Sequence, residues 1–271
     1  MTSWQSTDMA STWLQAARER NRMLAAATER MFALAGVREG ARVLDVGTGT
    51  GDTAVMLAHQ VGPAGEVVAT DVAPGMVNAA ASAARDAGFA HVKTAVVDLA
   101  APLPDLGTFD AVVSRKVLMF VDDLPGALAR VRKVLRPGGR FAAAVWDRLE
   151  DNPFNAIPIA AVRKRRGLPA PPPEVVKAFS LSDAAELRRT FESAGFASVA
   201  VERVPSVRDY ASLDDAMRIM KTPLYSELLS LLPEDERREA AAEIEQAYRA
   251  FVRDDGTVAF PIVSLVVAGS A

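Results

Sequence analysis

The chain of 271 residues contains no cysteine and only two histidines. The absence of cysteine excludes disulfides, thiolate metal sites and a cysteine nucleophile. No apolar stretch is long enough to span a bilayer. The N-terminus also lacks the basic stretch followed by an apolar one that marks a signal peptide. We therefore expect a cytoplasmic protein without stable membrane insertion.

The sequence also lacks a marked excess of either charge. Lysine and arginine total 31 against 34 acidic residues, for a formal net charge of −3. Nucleic-acid binders usually show a basic excess, so we expect no nucleic-acid partner. The short basic run "RKRRG" at 163–167 is interpreted as a solvated face, with contact to an anionic substrate tail as the alternative. Half of the residues are hydrophobic, which is typical of a globular chain with a sizeable core.

Strand and helix signals alternate from residue 41 to residue 147. The strand signals are "ARVLDV", "EVVATD", "HVKTAVVD", "FDAVVS" and "RFAAAVWD". Nearly continuous apolar strands separated by helices predict an open, mostly parallel α/β sheet that is covered on both faces. Two later strands are predicted at "SVAVERV" and "TVAFPIVSLVVAGSA". Helical segments outside this winding come from the N-terminus, from 148 to 180, and from 205 to 255.

A glycine-rich turn, "VLDVGTGTGD", follows the first strand. Glycine permits positive φ and lets the backbone approach a ligand closely, and the helix that follows offers free N–H groups. Gly47, Gly49 and Gly51 are therefore interpreted as a nucleotide-type loop. Asp71 ends the second strand about 20 residues later, the spacing at which a carboxylate accepts hydrogen bonds from ribose hydroxyls.

The details of this loop favour a nucleoside over a dinucleotide. A dinucleotide fingerprint reads G-x-G-x-x-G. Here the position of its third glycine is occupied by Asp52, directly after Gly51. Asp45, just before the loop, suits the cationic end of a ligand and would repel a pyrophosphate.

These motifs resemble those of the class I S-adenosylmethionine-dependent methyltransferases, and most closely the UbiE-like small-molecule branch. "VLDVGTGTG" is similar to the first motif of that family, "VVATDVAPGMV" to the second and "AVVDLAAPLP" to the third. "FDAVVSRKVLMFVDDLPGALARVRKVLRPGGRFAAAVWD" resembles the region of the fourth strand and beyond. The resemblance implies a Rossmann-like seven-stranded sheet in the order 3-2-1-4-5-7-6, with the last strand antiparallel and helical lid insertions.

The resemblance implies one methyltransferase domain over 1–271. Its core covers about 36–147, 181–204 and 256–271, and its lid segments cover about 1–35, 148–180 and 205–255. Trp4 and Trp13 in the first lid segment are candidates for excluding water from the site. The sequence leaves open whether the chain forms a homodimer.

The same resemblance assigns the cofactor-binding residues. Asp71 would contact the ribose, Met76 would lie against adenine, Asp98 would accept from the adenine amino group, and Leu99 would pack nearby. The full set is Asp45, Gly47, Thr48, Gly49, Gly51, Asp71, Val72, Met76, Asp98, Leu99 and Ser114. The cofactor is S-adenosylmethionine, with S-adenosylhomocysteine as product.

The sequence offers few candidates for a general base. His59 and His91 are both predicted at the edge of the sheet opposite the glycine loop. Asp147 ends the fifth strand on the loop's own edge and is the candidate catalytic carboxylate, unless the acceptor needs no base. Lys116 follows the fourth strand, near the donor or substrate or simply exposed. No cluster shows metal-ligand spacing, so we expect no metal.

We therefore predict methyl transfer from S-adenosylmethionine to a small, apolar or aromatic acceptor such as a quinone-like compound, a polyketide or another natural product. One alternative is a cofactor-binding homologue without methyl transfer, such as a cyclase or a regulatory binder. A further alternative, less favoured by the loop, is an NAD-dependent oxidoreductase.

Overall fold

The computed structural model describes residues 17–168, 173–221 and 223–271. Its centre is a seven-stranded sheet in the order β3-β2-β1-β4-β5-β7-β6. The strands β1–β5 pair in parallel, and β7 pairs antiparallel to β5. The strands are β1 Arg42–Val46, β2 Glu66–Asp71, β3 Val92–Val96, β4 Phe109–Arg115, β5 Leu135–Trp146, β6 Ala197–Tyr210 and β7 Val258–Ser270. This is the predicted fold class.

Helices connect β1 to β2, β2 to β3 and β4 to β5, and they fill the segments between the later strands. They are α1 Ala17–Ala35, α2 Asp52–Val61, α3 Pro74–Asp86, α4 Leu124–Lys133, α5 Pro153–Arg166, α6 Pro173–Ala178, α7 Ala184–Ser193, α8 Leu213–Met217, α9 Pro223–Ser230 and α10 Glu234–Tyr248. Short 3-10 turns occupy Leu118–Phe120, Leu149–Asp151, Arg218–Lys221 and Arg249–Phe251.

The central strands are buried on both faces because their apolar residues are nearly continuous. Leu44 pairs in register with Val112, which pairs with Phe141, and these three belong to one apolar cluster. The neighbouring residues Val43 and Ala111 are paired with each other and belong to a second cluster on the other face. Successive side chains of a strand point to opposite faces, so the two clusters cover the two sides of the sheet.

The described chain divides into two compact units. The first contains the described residues up to Trp146 together with Leu181–Val204 and Ser264–Ala271. It includes α1 and the strands that carry the glycine loop. The N-terminal tryptophans, Trp4 and Trp13, lie outside the described residues.

The second unit contains the described residues of Asp147–Ser180 and Pro205–Val263. It has an aromatic core around Phe154, which is fully buried and stacks on Tyr210 and Tyr248. The Tyr248 hydroxyl donates to the Phe154 carbonyl at 2.6 Å. The assignment of 1–35, 148–180 and 205–255 as lid segments stays a prediction.

One boundary predicted from the sequence is wrong. The helical pattern was expected to begin at 205, but β6 continues to Tyr210. Along 204–209 intermediate and exposed side chains alternate. This period of two is that of a strand with one covered face, and it outweighs the helical spacing of the residues that follow.

Candidate cofactor site at the carboxyl ends of the strands

The glycine loop lies between the end of β1 at Val46 and the start of α2 at Asp52. Its three glycines have φ values of 71°, 57° and 91°. A Cβ on Gly47 would lie 2.3 Å from Val117 Cγ2, and one on Gly51 would lie 2.7 Å from Ala80 Cα. A Cβ on Gly49 would meet nothing within 4 Å. Packing therefore requires glycine at the first and third positions, whereas Gly49 faces open space through which a ligand can approach its backbone.

Asp71 joins the end of β2 to this loop. Its Oδ2 accepts a hydrogen bond from the Gly49 N–H at 3.0 Å, and its Oδ1 accepts one from the Ala73 N–H at 3.0 Å. The Thr48 N–H donates to the Thr70 carbonyl at 2.8 Å. A carboxylate has about four lone-pair sites, so Asp71 keeps acceptor capacity for hydroxyl groups of a ligand beside the loop.

Asp45 is the most unusual residue of the site. Its side chain is fully buried, and neither carboxylate oxygen has a hydrogen-bond partner. Burial raises the pKa of Asp45 to about 7, although the Thr48 hydroxyl and the Arg115 guanidinium lie close enough to oppose the shift. The Thr48 hydroxyl is itself buried and makes no hydrogen bond of normal geometry. Buried polar groups are nearly always paired, so these orphaned atoms fit a ligand that brings a donor.

Two arginines converge on Asp52, the first residue of α2. Arg20 of α1 donates to the Asp52 carboxylate through Nε at 3.1 Å and also through Nη2. Arg115 at the end of β4 lies 3.7 Å from the same carboxylate and donates to Thr28 and Asn21 of α1. Burial lowers the pKa of Arg115, against the opposing effect of Asp52 and Asp45.

Sequence reasoning missed this cluster. Arg20 and Asp52 are 32 residues apart, and Asn21 and Arg115 are 94 residues apart. No local spacing links them. The one available signal was Asp52 itself, a charged residue at the position where the dinucleotide fingerprint G-x-G-x-x-G has its third glycine.

The residues predicted near adenine follow β2 and β3: Met76 lies in the first turn of α3, and Asp98 and Leu99 come shortly after β3. Met76 and Leu99 are buried, whereas Val72 and Asp98 are exposed. The Asp98 carboxylate accepts the Ala100 N–H at 2.8 Å. An exposed carboxylate beside a buried leucine offers a polar and an apolar contact to a planar base.

Ser114 and Lys116 are held by the ends of neighbouring strands. The buried Ser114 hydroxyl donates to the Val46 carbonyl at 3.1 Å. Lys116 has φ 60° and is half-buried, so the interpretation as a simple exposed lysine is wrong. Its Nζ donates to the Val145 carbonyl at 2.9 Å and to Ser264 Oγ at 2.7 Å, and lies 3.7 Å from the centre of the Trp146 ring.

The two histidines lie where the sequence places them, away from the loop. His59 is in the last turn of α2 and packs edge-on against Phe89. His91 precedes β3, and its Nε2 lies 3.1 Å from the Ala58 carbonyl. Because α2 begins at the loop, its last turn is at the opposite edge of the sheet.

Asp147 follows β5 and belongs to the second unit. It is buried, and its Oδ1 accepts the Arg148 N–H at 2.8 Å. Its catalytic role stays a prediction.

The described residues show neither a cluster of metal-ligating side chains nor a helix that could cross a membrane. No group of three or more His, Cys, Asp or Glu side chains there is placed to hold a metal. None of the helices described is both long and apolar enough to cross a membrane.

The fold and this site together define a nucleoside-binding protein of the class I methyltransferase type. Residues 38–195 match the family described as a methyltransferase domain. That match covers more than half of the chain, which therefore belongs to this family. The predicted membership of the S-adenosylmethionine-dependent methyltransferases is thereby confirmed.

Curated relatives agree with this assignment. The chain is 39% identical over 112 residues to nocamycin O-methyltransferase of Saccharothrix syringae, covering 41% of this chain and 40% of that protein. It is 34% identical over 169 residues to an aklanonic acid methyltransferase of Streptomyces sp. strain C5, covering 58% and 76%. It is 35% identical over 137 residues to the ubiquinone/menaquinone biosynthesis C-methyltransferase of Teredinibacter turnerae, covering 46% and 55%. The chain thus matches between 40% and 76% of the length of these relatives.

Solved structures give the same fold. A SAM-dependent methyltransferase from Aquifex aeolicus is 26% identical with a TM-score of 0.51, covering 67% of this chain and 84% of that one. The YcgJ protein of Bacillus subtilis is 20% identical with a TM-score of 0.56, covering 90% and 97%, and shows the fold alone.

Proposed function

We propose that the protein transfers a methyl group from S-adenosylmethionine to a small, apolar or aromatic acceptor, such as a quinone-like compound, a polyketide or another natural product. The observation that carries this proposal is the orphaned, buried carboxylate of Asp45 beside a glycine loop that Asp71 braces. When bound, S-adenosylmethionine supplies an activated methyl group on a sulfonium. An acid at this place favours a cationic donor over a pyrophosphate.

Each residue of the site has a binding role in this proposal. Asp45 holds the α-ammonium of the donor, and Gly49 presents backbone to it without a side chain in the way. Asp71 accepts from the ribose hydroxyls. Met76 and Leu99 pack against adenine. Thr48, Val72, Asp98 and Ser114 complete the proposed cofactor site.

The chemistry proposed for the chain is alignment of donor and acceptor with exclusion of water, which supplies up to about 7–11 kcal/mol in favourable cases. The segments 1–35, 148–180 and 205–255 are the proposed lids. Asp147 acts as general base for a hydroxyl acceptor, and an already ionised acceptor needs none.

A small-molecule acceptor is supported by the relatives and by the charges of the second unit. The names of the relatives include both an O- and a C-methyltransferase, and each acts in small-molecule chemistry. Within the basic run, Lys164 and Arg165 both pair with Glu243. Compensated charges of this kind favour the solvated face over a nucleic-acid surface.

Calorimetric titration with S-adenosylmethionine, S-adenosylhomocysteine and NADH tests the cofactor. We expect binding of the first two, weakened at least tenfold by Asp71→Ala and unchanged by Asp86→Ala, since Asp86 is exposed at the last residue of α3. Binding of NADH alone would refute the proposal. An acceptor screen by mass then tests the reaction: a gain of one methylene unit supports it, whereas a product of altered structure without that gain favours a cyclase.

A further inference from the structure

Asp45 is surrounded by charges from each element packed around the end of β1. Asp71 faces it from β2, Asp52 from the start of α2 and Arg115 from the end of β4. Arg20 of α1 joins the same cluster through Asp52. Three carboxylates and two guanidiniums therefore meet at the edge of the sheet where the donor is proposed to bind.

The two guanidiniums pair with Asp52, and neither donates a hydrogen bond to Asp45. Arg20 donates to Asp52, and Arg115 lies 3.7 Å from it. Both oxygens of Asp45 are left without a hydrogen bond. A buried carboxylate that is neither hydrogen-bonded nor directly paired is costly in its charged form, so the ligand-free site favours a proton on Asp45.

From this arrangement we infer that binding of the donor's α-ammonium against Asp45 releases a proton from the Asp45 carboxyl. Donor binding is therefore linked to proton release and weakens as the pH falls below neutral. The inference rests on the proposed function, because it takes the ligand to carry an ammonium group. Asp45 then determines how strongly the site distinguishes amino-acid-bearing nucleosides from other nucleosides, and it makes that distinction depend on pH.

The sign of the linkage follows from the direction of the pKa shift. Burial, opposed by the Thr48 hydroxyl and by Arg115 and reinforced by Asp71 and Asp52, raises the pKa of free Asp45 to about 7. An ammonium in contact favours the charged form and lowers that pKa again. Below pH 7 the free site is mostly protonated and must lose the proton on binding, whereas above pH 7 it is already ionised. The two histidines, His59 and His91, lie at the opposite edge of the sheet and do not face Asp45.

Calorimetry with S-adenosylhomocysteine in two buffers of different ionisation enthalpy, phosphate and imidazole, counts the protons released. With a free pKa of about 7, we expect release of about 0.9 proton at pH 6.0 and about 0.2 at pH 7.5. Over the same interval the dissociation constant should be about eightfold larger at the lower pH. S-adenosylhomocysteine carries an ammonium throughout this range, so the change reports on the protein.

The matched variant is Asp45→Asn, which keeps the shape but cannot ionise. It should bind S-adenosylhomocysteine more weakly, with buffer-independent heat and no pH dependence between 6.0 and 7.5. Asp86→Asn, at an exposed acid, should behave as the wild type.

Buffer-independent heat of the wild type at pH 6.0 overturns the inference alone, as does undiminished proton release by Asp45→Asn. Should Asp45→Asn fail to fold, the wild-type proton count decides. Failure of S-adenosylhomocysteine to bind at either pH refutes the proposed function, and the inference with it.

Discussion

Substitution of Gly47 by alanine tests whether the loop is built against Val117. Gly47 has φ 71°, a region that costs other residues about 1–2 kcal/mol. Its new Cβ would lie 2.3 Å from Val117 Cγ2, an overlap that forces a shift of the kind that costs about 1–3 kcal/mol. We therefore expect Gly47→Ala to lower the free energy of unfolding by about 2–5 kcal/mol.

Gly49→Ala is the matched control, because its φ of 57° imposes similar backbone strain but its Cβ meets nothing within 4 Å. It should cost only about 1–2 kcal/mol of stability. The new methyl would project into the space proposed for the ligand, so its main effect should be weaker binding of S-adenosylhomocysteine.

Urea-induced unfolding of the single variants and of the double variant Gly47→Ala/Val117→Ala gives the coupling energy. The half-buried Val117 side chain is the obstacle, so its truncation should recover about 1–3 kcal/mol of the loss. Purely additive effects, or equal losses for Gly47→Ala and Gly49→Ala, would show that the contact with Val117 does not determine the choice of glycine.

Three further substitutions test other parts of the chain by their unfolding curves. Asp52→Asn removes the charge opposite the buried Arg115 guanidinium and should cost about 1–3 kcal/mol; an unchanged midpoint would show that the cluster adds no stability. Burial raises the pKa of Asp110, but a backbone N–H and the Arg136 guanidinium outweigh it and hold the pKa below its ordinary value. Asp110→Asn should therefore lower the free energy of unfolding by about 1–2 kcal/mol at pH 7. This loss should disappear as the pH falls below about 4 and through the folded pKa of Asp110; a loss that persists in acid would contradict the prediction. Phe154→Ala opens the aromatic core of the second unit and should cost about 3–5 kcal/mol; a loss below about 1 kcal/mol would mean that the core closes around the gap.

The strands of the parallel sheet were predictable because their signal is local. "EVVATD" forms β2 over Glu66–Asp71, and "FDAVVS" forms all but the last residue of β4. The glycine loop and Asp71 were likewise predictable, because the loop requires positive φ at fixed spacing and the acid follows at the end of the next strand.

Contacts between distant parts of the chain were not predictable. Arg20 and Arg115 meet at Asp52 only because α1 packs beside the loop. The spacing of these residues in the sequence does not predict this contact. Lys116 is a similar case. A lysine after a strand is usually solvated, but positive φ and the acceptors at Val145 and Ser264 hold its ammonium group here.

The extension of β6 shows a different limit. Its last residues alternate between exposed and covered positions in a segment that also contains polar and charged side chains. Without knowledge of the neighbouring strand, that alternation is too short to outweigh the helical spacing that follows.

The position of β7 constrains the order in which the protein can be assembled. In the sheet β7 lies between β5 and β6, and among the strands that the structure describes it is the sole neighbour of β6. During synthesis β6 leaves the ribosome before β7. Its backbone groups therefore have no partner strand until residues 211–257 and then β7 have been synthesised. The parallel strands β1–β5 need no such delay. Closure of the sheet by β7 is a long-range step with a large loop-closure cost, so we expect it to be the slow phase of refolding and the stage most exposed to aggregation.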